Sequence, residues 1–219
     1  MESEIMRLPA GILNAAGGDD YIGSAGGQLG PSRSHFAGQL GRTVWIPPDQ
    51  IIYNSALGTV YGGRFRYVKL RAADAVNAAI GQIAFWDTTV TSWQQAFQVT
   101  TDEDLASTGI AARFPAGIFI NTLTYGKYWL IQDMGIVPVK FRTTLAQTGV
   151  IGSGVFCAAL DTGIGVADNA CADVITPNAN PTTFTDNVLM RQRYLGTAIA
   201  APVGGALSAV ALALPDLGI

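Results

Sequence analysis

The chain reads as an all-β protein, a barrel or sandwich of short antiparallel strands carrying an extended glycine-rich arm at its N terminus. Three observations carry that expectation. Short apolar runs recur along the last two thirds of the chain, nearly all bounded by Gly, Pro, Asn, Asp or Thr. No long amphipathic helix is written into the sequence. The 26 glycines and 10 prolines punctuate the apolar runs, and many short strands at such spacing belong to sandwiches and barrels. With 219 residues the chain can bury a sizeable core, so size alone demands no staple.

Taken in order, residues 1–43 form an arm. Gly11, Gly17, Gly18, Gly23, Gly26, Gly27 and Gly30 are spread through a segment without sustained periodicity, which cannot build a core of its own. Ile5, Leu8, Ile12, Leu13, Tyr21, Ile22 and Leu29 stand in it as isolated apolar anchors, suited to lying across a neighbouring subunit. Residues 44–63 read as a linker, because Pro47 and Pro48 stop the short strand begun at Thr43. The β domain then spans 64–219.

Within that domain strands are expected near Arg64 to Leu70, Gln82 to Trp86, Phe97 to Thr100, Gly109 to Ala112, Gly117 to Ile120, Lys127 to Asp133, Ile136 to Thr143, Gly154 to Leu160, Leu189 to Ile199 and Ala206 to Leu214. Short helical turns fit Ala72 to Ala79 and Asp102 to Ala106, the second capped by Thr101. Arg64 and Arg66 share a face with Val68 and Leu70, opposite Phe65, Tyr67 and Lys69. Such a row either grips carboxylates of a neighbouring subunit or protects a solvated strand edge. Residues 161–186, rich in Gly, Asn, Asp, Thr and Pro, read as a long loop. Leu195 to Leu214 carries no charge, yet Pro202, Gly204 and Gly205 interrupt it. Val210, Leu212 and Leu214 alternate with alanines, so two strands around a glycine turn are expected there and a membrane span is not.

The segment Gly126 to Lys140 is the most informative. Tyr128, Leu130 and Gln132 alternate with Trp129, Ile131 and Asp133, Gly135 interrupts, and an apolar extended pattern resumes at Ile136. This predicts two strands around a glycine turn, with Tyr128, Trp129, Ile131 and Val139 serving the core or a subunit contact. The run G-x-Y-W-x-I-Q-x-x-G-x-x-x-V resembles the small proteins that decorate or cement the capsids of tailed bacteriophages. The resemblance covers roughly residues 64 to 214 as a pattern. It implies a homotrimer on the capsid exterior, with the major capsid protein as partner, assembled in the host cytoplasm.

Composition points the same way. Apolar residues are 49% of the chain and charged residues 13%, about half the usual globular share, so much of the exterior is expected to be covered by other chains. A net charge of −3 with three lysines leaves no basic footprint for direct nucleic-acid binding. The opening Met1-Glu-Ser-Glu-Ile-Met-Arg is acidic and unlike a secretory leader, so a reducing compartment is expected, with Cys157 and Cys171 as buried apolar residues or, in an oxidising setting, a disulfide.

Chemistry finds little purchase. His35 is the one histidine and lies in the arm, no G-x-S-x-G elbow is present, and neither Gly152-Ser-Gly154 nor Gly163-Ile-Gly165 extends into a nucleotide loop. Glu103 with Asp102 and Asp104 reads as a solvated turn. Asp161, Asp168 and Asp173, with Asn169, lack the spacing of a calcium loop. No enzyme activity, cofactor or metal is therefore expected. The alternatives are another virion component (tail tube, head completion or minor capsid protein) or a carbohydrate-binding module that stacks sugars on Trp93 or Trp129. A hydrolase using Asp161 or Asp168 is the most distant.

Overall fold

The computed structural model describes residues 40–54, 58–73, 75–87, 97–102, 114–145, 148–157, 171–174 and 194–214. Period-two alternation builds ten strands there and no helix: β1 (Thr43–Asn54), β2 (Gly58–Leu70), β3 (Ile83–Trp86), β4 (Gln98–Thr100), β5 (Pro115–Phe119), β6 (Tyr128–Lys140), β7 (Gly154–Cys157), β8 (Ala172–Val174), β9 (Tyr194–Ala198) and β10 (Leu207–Leu212). The protein is all-β, as its pattern predicts.

The strands form one mixed sheet that closes on itself twice. β2 pairs with β4, β4 with β3, β3 with β5, β5 with β6, and β6 again with β2, which makes a five-stranded ring. The second half of β6 pairs instead with β10, followed by β9, β7 and β8. A bridge between Phe141 and Ala172 then brings β8 back to the end of β6, reinforced by the Arg142 amide donating to the Ala172 carbonyl at 3.0 Å. Two small rings thus share one long strand. The Lys140 amide also donates to Gly81 in the first ring at 2.8 Å. Closure is how an antiparallel sheet disposes of its edges.

Gly135 makes the shared strand possible. The sequence predicts a turn there, but β6 runs straight through it as a single strand of 13 residues. Opposite β2 the register slips between Arg64 and Phe65, leaving Asp133 as the extra residue, and Gly135 at φ 108° stands opposite Gly63. A Cβ on Gly135 would sit 2.6 Å from the Gly62 carbonyl oxygen and 3.0 Å from the Gly63 Cα. Gly135 is also paired with Leu212 of β10 on its other side, and beyond it β6 continues against β10, passing from one ring to the other. A bulge with glycine beside it bends a strand without ending it.

Several other expectations are refined. β2 and β4 are parallel, so the sheet is mixed and not wholly antiparallel. The segment 44–63, read as a linker, holds most of β1 and the start of β2. Its two prolines fall inside a register irregularity between Ile46 and Ile51, so pairing resumes beyond them. The described part of the expected helical turn at Ala72 to Ala79 is irregular, with Ala78 bridged to Leu123. The hairpin expected over Leu195 to Leu214 forms as β9 and β10. The Gly109 to Ala112 strand and most of the 161–186 loop lie outside the described residues.

One apolar core runs through both rings. Phe65, Tyr67, Leu70, Ile83, Phe85, Ile118, Phe119, Trp129, Leu130 and Ile131 belong to it on the strands of the first, and Val137, Val139, Val155, Cys157, Leu195 and Val210 on those of the second. From Gly62 to Leu70 in β2, and through the first half of β6, residues on both faces are largely buried.

Candidate interaction surface

The residues singled out in the Gly126 to Lys140 run divide by depth. Trp129, Ile131 and Val139 are buried in the core of the single chain, and Tyr128 lies half-buried at the start of β6. Tyr128 stacks on Tyr67 with ring centroids 6.3 Å apart, and the Lys69 ammonium sits 5.6 Å from its ring. Burial removes Trp129 from any sugar-stacking platform. Its indole Nε1 has no hydrogen-bond partner among the described residues. The arm anchors Ile5, Leu8, Ile12, Leu13, Tyr21, Ile22 and Leu29 lie outside the described residues, as do Trp93, Asp161 and Asp168.

The arginine row is not a solvated edge. β2 has partners on both sides, and Arg64 and Arg66 both grip Asp133, the bulged residue of β6. The Arg64 Nε lies 2.9 Å from Asp133 Oδ1 and the Arg66 Nε 3.0 Å from Oδ2. The Arg66 guanidinium also lies 5.9 Å from the Trp86 ring centroid. At the far end of β2, Arg71 approaches Asp87 at 3.4 Å, and Gln98 Nε2 donates to the same carboxylate at 2.7 Å. These charges are satisfied within the chain and organise the first ring. Asp173, once a metal candidate, pairs with Arg142 at 3.1 Å and accepts from the Val174 amide at 2.8 Å. Its oxygens serve structure.

Among the described residues, two neighbouring loops present apolar side chains outward. The loop ahead of β7 exposes Val150 and Ile151, 61% and 70% accessible, and the β9–β10 connection exposes Ile199 and Val203, 38% and 57% accessible. The two loops are tied together. The Gly152 amide donates to Ala198 O at 2.8 Å, the Ala198 amide to Ser153 O at 2.9 Å, and Ser153 Oγ accepts from the Val150 amide at 2.9 Å. Gly149 lies so close to Pro202 that a Cβ on it would stand 2.7 Å from Pro202 Cγ. No charged residue occurs from Thr143 to Leu160 or from Leu195 to Pro215. The result is an uncharged aliphatic patch on hydrogen-bonded loops at one end of the second ring. An exposed apolar patch on loops hydrogen-bonded to each other fits a contact surface. The sequence did not point to it, because T-G-V-I-G reads as a turn.

Comparison with known proteins adds little. No family model matches the chain, and no curated protein matches it. Among solved structures, the N base of the head fiber gp8.5 of bacteriophage phi29 is similar over 68% of this chain and 92% of that one. Its TM-score is 0.38 and its sequence identity 8%. A likeness of that size carries no argument about what this chain does.

Proposed function

We propose that this chain is a structural virion protein that binds the outer surface of a tailed-phage capsid and reinforces it, acting as a homotrimer and catalysing nothing. The observation that carries the reading is the aliphatic patch of Val150, Ile151, Ile199 and Val203, apolar surface held ready on loops bonded to each other. The resemblance of the Gly126 to Val139 run to decoration proteins and the scarcity of charge support it. In this reading the patch meets the major capsid protein, and the arm anchors add further apolar contact. Burial of about 25 cal/mol per Å² at each site, repeated over a symmetric shell, opposes outward pressure without any single contact being strong.

The test is co-sedimentation of the purified protein with purified capsids that lack it. Wild-type protein should pellet with the shells, and the double variant I151K/V203K should stay in the supernatant while keeping its melting temperature. Shell binding unchanged by both charges would remove the patch from the contact. Failure of wild-type protein to bind any shell, together with a hexameric mass in solution, would favour a tail-tube ring.

A further inference from the structure

We draw no further inference here: the strongest candidate, the β1 edge strand with its exposed Trp45, is open only among the described residues, and nothing in the structure shows what covers it.

Discussion

Asp133 shows how one residue can organise a ring. Its two carboxylate oxygens are divided between Arg64 and Arg66 in a site where Asp133 and Arg66 are both almost fully buried. Breaking a buried pair from one side strands the other charge, at a cost of about 3 kcal/mol or more. D133N should therefore lower the unfolding free energy by that much, seen as a lower denaturant midpoint at unchanged slope, and a loss below about 1 kcal/mol would mean the arginines are solvated after all. Tyr67 offers a pH-dependent counterpart. Burial, and then the neighbouring Tyr128, push its phenol above the ordinary tyrosine value. The folded state therefore holds this proton to higher pH than the unfolded chain does. Its contribution is fully present below about pH 10 and declines as pH rises beyond that. Y67F should flatten the alkaline fall in stability, as followed by urea denaturation at a series of pH values.

At the scale of elements, Gly135 and Gly152 provide a matched pair. Both have positive φ, 108° and 88°, but a Cβ at Gly135 would run into the β2 backbone while one at Gly152 would meet nothing within 4 Å. G135A should cost about 2 kcal/mol or more and G152A about 1 kcal/mol, both read from denaturant midpoints. The pair also marks what the sequence could reveal. The alternation of Tyr128, Leu130 and Gln132 with Trp129, Ile131 and Asp133 correctly gave an extended strand, but not that both of its faces are buried. Gly135 read as a turn because turn and strand crossing make the same demand on glycine, close backbone approach with positive φ, and only the partner strand separates them. The partners of Arg64 and Arg66 were hidden because Asp133 is 69 and 67 residues away. β8 was hidden because Ala172, Asp173 and Val174 show no apolar period; their place comes from Cys157, Phe156 and Val155 across the ladder. Proline at 47 and 48 looked like the end of a strand, whereas β1 absorbs both in an irregularity and goes on.

For the whole molecule, sharing β6 couples the two rings. Neither keeps its closure without that strand, so unfolding should follow a single transition with coincident fluorescence and circular-dichroism curves. D133N, although confined to the first ring, should also speed hydrogen exchange in β9 and β10. Exchange there at the wild-type rate would show that the rings open independently. The surface divides more simply than the core. Among the described residues, the β1–β2 hairpin leaves one ring and an aliphatic patch caps the other, on a chain with few charges to spare.

The long strand also sets a timetable. β1 and β2 are finished early in synthesis, yet β6, the second antiparallel partner of β2, begins only at Tyr128, and the second ring waits further, for β9 and β10. Until β6 has left the ribosome the nascent chain owns a hairpin and a few short strands but no closed surface, a topology of distant contacts that folds slowly. A stop codon placed just before Tyr128 would consequently yield no half-protein, only a chain with its stickiest edge uncovered and nothing to close around.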